Sequence, residues 1–185
     1  DNDFLLKAHF ICENILRFLY AQNTASRQTI CVHASAVEHQ GKAYLFMGHS
    51  GSGKSTHSQL WLKHFSGTTL INDDNPVIRL DEQGQPIVYG SPWSGKTPCY
   101  KNVDFPLGGM TPILHTNKTA IEAYRPIDGY RFLRASASGL PFIDRTVADG
   151  LYETVEQIIR QFPVYLLACK PDKDAAELCK NTLVK

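Results

Sequence analysis

The sequence predicts a single α/β domain whose central sheet is mixed, contains antiparallel strands and is flanked by helices. Apolar segments of helical period alternate with short apolar segments of strand length. Two of the strand-like segments are separated only by residues 38–42, and so short a connection joins antiparallel neighbours. A glycine-rich stretch, 48–53, then leads from a strand-like segment into a helical one. These three observations define the fold class.

The first third of the chain predicts a helix, a hairpin and a second helix. Segment 3–21 predicts a helix that packs at the domain edge, because apolar residues recur at helical spacing. These residues are Phe4, Leu5, Ala8, Ile11, Ile15, Phe18 and Leu19. Segments 29–37 and 43–47 predict a β-hairpin. A helix over 55–65 follows the glycines and ends at Gly67.

The remainder predicts further strands and three helices. The strands are expected at 68–71, 77–80, 87–89, 111–115 and 164–169, with the second and third forming a hairpin. Helices are expected at 127–137, 147–162 and 174–183, and a loop rich in Pro, Gly and Ser at 90–107.

Length and composition indicate one globular domain over residues 1–185, with helix 3–21 as its edge element. Hydrophobic residues make up 43% and charged residues 20%, which is enough apolar material for a core. The net charge of +1 gives no basic excess, and no apolar run approaches ~20 residues, so we expect no nucleic-acid or membrane partner. The first residue is Asp1 rather than Met, which leaves open that the chain is a fragment of a longer one.

Cysteine usage indicates a reducing compartment. The five cysteines are odd in number and show no C-x-x-C spacing, which argues against a zinc site or a disulfide framework. We therefore expect reduced thiols in a cytoplasmic protein.

The segment Gly48-His49-Ser50-Gly51-Ser52-Gly53-Lys54-Ser55-Thr56 matches the P-loop, or Walker A, pattern G-x-x-x-x-G-K-[ST]. Glycines permit the positive φ that lets successive N–H groups converge on phosphate oxygens, and the following helix adds the positive end of its dipole. Lys54 suits the β and γ phosphates, and the Ser55 hydroxyl suits Mg²⁺. The alternative, a turn that merely caps a helix, is disfavoured by the full match between strand and helix. The sequence predicts binding of a nucleoside triphosphate with Mg²⁺.

An acidic pair, Asp73 and Asp74, ends the short apolar strand that follows. One carboxylate can hold the metal while the other accepts a proton from an attacking hydroxyl. A polar turn over 72–75 is the alternative interpretation. The position of the pair behind a P-loop favours the functional one.

His33 precedes these motifs, within the first strand of the predicted hairpin. The set of His33, hairpin, P-loop, short helix and Asp-Asp resembles the kinase core shared by HPr kinase/phosphorylase and ATP-dependent phosphoenolpyruvate carboxykinase, over residues 30–97, about a third of the chain. The resemblance implies a P-loop kinase core that uses ATP with Mg²⁺ or Mn²⁺. It implies His33 at the active site, Lys54 and Ser55 on phosphate and metal, Asp73 on the metal side and Asp74 as the base. The further Glu and Arg segments of HPr kinases are not found, and the chain is shorter than a complete carboxykinase.

A loop over residues 90–101 concentrates Trp93, Lys96 and small hydroxyl residues. It either closes over the nucleotide or an anionic acceptor, or is a rigid connection with Trp93 as a packing plug. An arginine would complete the charge clamp on the transferred group. The candidates are Arg131, Arg134 and Arg145, and nothing in the sequence chooses among them. We take Arg134, with Trp93 and Lys96, as the predicted substrate residues.

Three functions compete. The first is a kinase that moves the γ-phosphoryl group of ATP to a hydroxyl on an unknown protein or small molecule. The second is a regulatory nucleotide sensor without efficient transfer, and a carboxykinase-like enzyme is a further alternative beside it. The third is a P-loop hydrolase with a mostly parallel sheet, which the predicted hairpin disfavours because parallel strands need long crossovers. Homo-oligomerisation is left open.

Overall fold

The computed structural model describes residues 2–95, 97–138 and 144–184. Helices in these residues are α1 (Asn2–Thr24), α2 (Lys54–His64), α3 (Pro126–Ser136), α4 (Arg145–Gln161) and α5 (Lys173–Leu183), with a 3₁₀ turn at Ala25–Arg27. The strands are β1 (Thr29–Cys31), β2 (Ala34–His39), β3 (Lys42–Met47), β4 (Thr69–Asn72), β5 (Val77–Leu80), β6 (Pro86–Tyr89), β7 (Asp104–His115), β8 (Ala120–Ala123) and β9 (Tyr165–Cys169).

These nine strands form one sheet in the order β1-β5-β6-β7-β3-β2-β4, with β9 beside β7 and β8 beside β9. The pairs β3–β7 and β7–β9 are parallel, and the others are antiparallel. The prediction of a mixed α/β fold with a partly antiparallel sheet is confirmed. The mostly parallel sheet of the hydrolase alternative is contradicted. In the described part of the chain, no helix is both long enough and apolar enough to cross a membrane.

The predicted hairpin is present, as β2 and β3 pair from Ala34↔Met47 to His39↔Lys42. Gln40 and Gly41 both have positive φ, at 52° and 76°, which suits a tight turn between right-twisted strands.

The strand predicted over 29–37 is in fact two strands, β1 and β2. β1 pairs with β5, whereas β2 pairs with β3 and β4. Between them, the backbone N–H of His33 donates to Ser136 O at the end of α3, at 2.8 Å. The prediction that His33 lies inside a strand was therefore wrong: His33 lies at the bend where the chain passes from one part of the sheet to another.

The prediction for β7 was also wrong, because it assigned the first residues of this strand to the loop 90–107. Pro106, Gly108 and Gly109 made the segment look irregular, but pairing with β6, β3 and β9 overrides these weak strand formers. Glycine is required at 108, since a Cβ there would come within 2.8 Å of the Tyr44 ring. β8 was not predicted.

Two apolar layers cover the sheet. One lies between the sheet and helices α3 and α4, around Leu133 and Ile158. The other lies under α2 and α5, where Trp61 and Cys179 are fully buried. This packing fixes the start of α2, and with it Lys54, against β2 and β3.

α1 differs from expectation in what it buries. The helix forms, but much of the predicted apolar stripe is exposed, including Phe4 at 70% and Ile15 at 52%. The helix reaches the rest of the domain mainly through its C-terminal part, where Ala21 is buried. Helical periodicity identified an amphipathic helix without specifying what lies against its apolar face.

One buried histidine gives a stability prediction. His57 on α2 is 1% exposed; its Nε2 accepts a hydrogen bond from Trp61 Nε1–H at 3.2 Å, and its Nδ1 has no partner. Burial lowers the pKa of His57 from 6.5 to about 4. The unfolded chain therefore takes up a proton at a pH where the folded chain does not. We expect stability to fall as pH drops from about 6.5 to 4, by on the order of 3 kcal/mol from this group.

The measurement is the free energy of unfolding in urea at several pH values between 7 and 4. His57→Gln removes the titration and is expected to show a shallower loss than the wild type. His115→Gln, at an exposed position, should retain the wild-type slope. Equal slopes for His57→Gln and the wild type would contradict the buried-histidine account.

Candidate active site

The segment predicted to be a P-loop, residues 48–56, forms a tight connection between the end of β3 and the start of α2. Gly48, Gly51 and Gly53 have φ values of 140°, 83° and 101°, a region that side-chain-bearing residues rarely adopt. A Cβ on Gly48 would lie 2.5 Å from Ser52 Oγ. The loop therefore requires glycine where the sequence pattern has it.

Most of the predicted site residues line one cleft of about 290 Å³. Its loop wall is made by Ser50, Gly51, Gly53, Lys54, Ser55 and Thr56, and its opposite wall by His33, Asp73, Asp74 and Gly95. Gly48, His49 and Ser52 do not line the cleft; Ser52 is 3% exposed and its N–H donates to the backbone O of the exposed His49 at 3.1 Å.

Lys54 lies inside the loop and is only 7% exposed. Its Nζ donates to Gly48 O at 3.0 Å, to His49 O at 3.1 Å and to His33 Nε2 at 2.9 Å. These contacts use the three donors of the ammonium group. Burial lowers the pKa of Lys54, and the negative charges of Asp74 and Asp73 oppose this effect.

His33 links this ammonium to the acidic pair. Its Nδ1 lies 3.1 Å from Asp74 Oδ1. With Nε2 accepting from Lys54, the consistent assignment is a neutral ring whose Nδ1–H donates to the carboxylate. The bend between β1 and β2 makes this bridge possible, because it turns His33 out of the regular strand. Lys54, His33 and Asp74 form one hydrogen-bonded chain.

Asp74 is held as an ionised acceptor. Burial alone would raise the pKa of its carboxyl group. The hydrogen bond from the neutral His33 ring, together with the charges of Arg17 and Lys54, outweighs burial and lowers that pKa below its ordinary value of 3.8. Asn75 Nδ2 also donates to Asp74 Oδ2 at 2.6 Å. The carboxylate is therefore charged at neutral pH.

Asp73 is more enclosed, at 3% exposure. Ser35 Oγ–H donates to Asp73 Oδ1 at 2.9 Å, and Ser58 Oγ lies 2.6 Å from Ser35 Oγ. The Thr97 N–H donates to Asp73 Oδ2 at 3.3 Å. Sequence analysis did not single out Ser35 or Ser58; the available signal was that Ser35 lies in the strand paired with the one feeding the P-loop.

Asn72 connects the acidic turn to the 90–101 loop and is fully buried. Its Oδ1 accepts from the N–H groups of Asp74 and Asn75, at 2.9 and 2.8 Å. Its Nδ2 donates to Ser91 Oγ at 3.1 Å and to Trp93 O at 3.0 Å. The polar turn over 72–75, which was the alternative interpretation of the acidic pair, is therefore present. It orients the two carboxylates.

The three predicted substrate residues have different outcomes. The Trp93 ring packs against Tyr20 of α1, with centroids 5.4 Å apart, as the packing-plug interpretation expects. Lys96 lies outside the described residues. Arg134 lies over the Tyr152 ring at 5.1 Å and donates to its hydroxyl at 3.2 Å, so the structure does not bring Arg134 to the cleft.

The other arginine candidates also point elsewhere. Arg131 lies 3.8 Å from Asp128, and Arg145 lies 3.6 Å from Asp149, each on its own helix. Arg17 of α1, which sequence analysis passed over, is the arginine whose charge helps lower the pKa of Asp74. A periodic helix at the chain start gave no signal that one of its polar residues faces the site.

The donor set suits Mg²⁺ only together with a ligand. In the described residues, no group of three or more His, Cys, Asp or Glu could hold a metal ion. Mg²⁺ is usually bound by one or two carboxylates, with nucleotide phosphates and water completing its shell. Ser55 and Asp73, which line the same cleft, fit such a shared site.

Comparisons with known proteins give little beyond this geometry. No family model matches the chain, and no curated protein matches it. Among solved structures, it is similar to the Hpr(Ser) kinase/phosphatase from Coxiella burnetii, with 14% identity and a TM-score of 0.46. That match covers 83% of this chain and 87% of the other. A likeness this distant carries no functional argument.

Proposed function

We propose that this protein is a phosphotransferase that moves the γ-phosphoryl group of ATP, with Mg²⁺, to a hydroxyl group of an acceptor. The observation that carries the proposal is the hydrogen-bonded chain from Lys54 through His33 to Asp74, at 2.9 and 3.1 Å, in the wall of the P-loop cleft. It joins a cation suited to phosphate with an ionised carboxylate suited to a proton.

The loop supports the binding half of the reaction. Its N–H groups and the Lys54 ammonium bind the β and γ phosphates, which are also favoured by the positive end of α2. Ser55 and Asp73 would hold Mg²⁺, which when bound neutralises charge on the phosphates. The hydrogen bonds to Asp73 from Ser35 and Thr97 keep its carboxylate in position.

Asp74 acts in the phosphoryl-transfer step. It accepts the proton of the acceptor hydroxyl while the acceptor oxygen bonds to the γ-phosphorus. The bond from that phosphorus to the β–γ bridging oxygen breaks, and ADP leaves. His33 is a positioning residue that orients Asp74 and couples it to Lys54. Because its pKa is lowered, Asp74 is available as the carboxylate throughout the physiological pH range.

The test is to incubate the protein with γ-labelled ATP, Mg²⁺ and the fractions of a cell lysate. We expect one fraction to acquire label with an equal amount of ADP formed, and a chelator to abolish both. ATP binding without transfer to any fraction would support a regulatory sensor instead. Label released only as inorganic phosphate would indicate a hydrolase. Failure to bind ATP in calorimetry would remove the proposal altogether.

A further inference from the structure

A second and larger cleft, of about 540 Å³, adjoins the P-loop cleft. His33, Ser50, Asp74 and Gly95 line both, so the two clefts meet at the proposed base. The P-loop lies on the side of Asp74 where the proposed triphosphate binds. The larger cleft therefore lies on the side from which an acceptor hydroxyl reaches Asp74.

Helix α1 supplies the outer wall of this cleft. Phe10, Asn14 and Arg17 line it from the helix, and Trp93 lines it from the 90–101 loop. Contact between the rings of Trp93 and Tyr20 joins the two walls next to Arg17. Clefts of about 300 to 1,000 Å³ are the size that holds small molecules. A wall formed by a helix leaves a bounded space at Asp74 rather than an open surface for a folded protein.

Arg17 gives the cleft a chemical preference. Its Nη2 donates to the neutral Asn14 Oδ1 at 2.6 Å, and within the described residues it makes no ion pair. The charge of Arg17 acts on Asp74, but in the part of the chain that the structure describes no carboxylate lies at ion-pair distance from it, so its planar fork is available to a carboxylate or phosphate. Glu13 also lines the cleft, but its Oε1 lies 3.2 Å from His9 Nε2, so this carboxylate is directed to His9 rather than to Arg17. Arg17 is therefore the anion-binding end.

We propose that the larger cleft binds the phosphoryl acceptor, and that the acceptor is a small hydroxylated molecule carrying a carboxylate or phosphate held by Arg17. Its hydroxyl then lies at Asp74, facing the P-loop. This inference rests on the proposed phosphotransfer. It places an arginine of α1 at the site in place of Arg131, Arg134 or Arg145, in contact with the acceptor's anionic group rather than the transferred phosphoryl group, and it chooses a small molecule over a protein.

The test uses the small-molecule ultrafiltrate and the protein fraction of a lysate as separate acceptors, with γ-labelled ATP and Mg²⁺. Label is expected in the ultrafiltrate, and passage of the ultrafiltrate over an anion-exchange resin beforehand should remove the acceptor. A panel of hydroxy acids and sugar phosphates, each beside its uncharged counterpart, then separates carboxylate from phosphate. Label confined to the protein fraction, or equal transfer to the uncharged counterparts, overturns the inference while the proposed function stands.

Arg17→Gln tests the residue itself. We expect the KM for the acceptor to rise about tenfold to a hundredfold, with the Kd for ATP unchanged, because one charge-assisted contact is lost. Arg17→Lys should recover part of the loss. Arg160→Gln, an exposed arginine paired with Glu156 on α4, is the matched control and should behave as wild type. An unchanged acceptor KM in Arg17→Gln removes Arg17 from the site. Loss of ATP binding in the wild type, by contrast, refutes the proposed function and this inference with it.

Discussion

Replacing Lys54 by Met is expected to weaken ATP binding by about a hundredfold or more, about 3 kcal/mol. The Lys54 ammonium is the positive charge enclosed by the loop, and it lies within 3.1 Å of two loop carbonyls. A polyanion bound there loses its main charge partner when the ammonium is removed, while Met preserves the buried alkyl volume. Isothermal titration calorimetry with Mg²⁺ and ATP measures the change.

The fold should survive this substitution. Lys54 is only 7% exposed, so its removal also relieves a cost of burial that partly offsets the lost hydrogen bonds. Lys63→Met, at an exposed position of the same helix, is the control and should bind ATP as the wild type does. Wild-type affinity in Lys54→Met, with an unchanged circular dichroism spectrum, would mean that the loop binds no triphosphate.

The parts of the site that the sequence predicts are those with a local physical reason. Gly48 and Gly53 are recognisable because the backbone there takes values that glycine tolerates best. The β2–β3 hairpin follows from a five-residue turn, and Asp73 and Asp74 from a polar pair at the end of a short strand. Each inference needs only neighbours in sequence, and the structure brings Gly53, Asp73 and Asp74 to one cleft.

The parts that were missed depend on contacts distant in sequence. The strand ends before His33 because the N–H of His33 bonds to Ser136, about a hundred residues later. Asn72 was recognisable as a turn residue, but its hold on Ser91 and Trp93 depends on where the later loop folds back. Propensity and periodicity describe segments, whereas these roles arise when segments meet.

The functional role proposed for Arg17 was also missed because it depends on contacts distant in sequence. Its helix was correctly predicted from apolar periodicity, which directed attention to the apolar face and away from the polar one. The structure leaves much of the apolar face exposed and turns Asn14 and Arg17 toward the cleft. Charge on a helix surface is normally uninformative, and only proximity to Asp74 distinguishes Arg17 from the other arginines.

Asp74→Asn is expected to leave ATP binding within a few-fold of wild type and to lower the transfer rate by about 10²- to 10⁴-fold. Asn has the same shape, and its Oδ1 can still accept the hydrogen bond from His33 Nδ1–H, so the Lys54–His33 bridge is retained. The amide cannot take up the acceptor proton. Single-turnover transfer with γ-labelled ATP, alongside calorimetric ATP binding, separates the two effects.

The pH dependence of transfer assigns the base. A base acts in its deprotonated form, and the pKa of Asp74 is lowered, so the wild-type rate should stay high down to the low end of the carboxyl range and fall only below it. Asp104→Asn, at an exposed carboxylate, should preserve both rate and profile. If Asp74→Asn transferred at the full rate, Asp74 would not be the base, and Asp73, the other carboxylate that lines the cleft, would take its place as the candidate. The Ser35 and Thr97 hydrogen bonds that fix Asp73 would then hold the reacting carboxylate rather than a metal ligand.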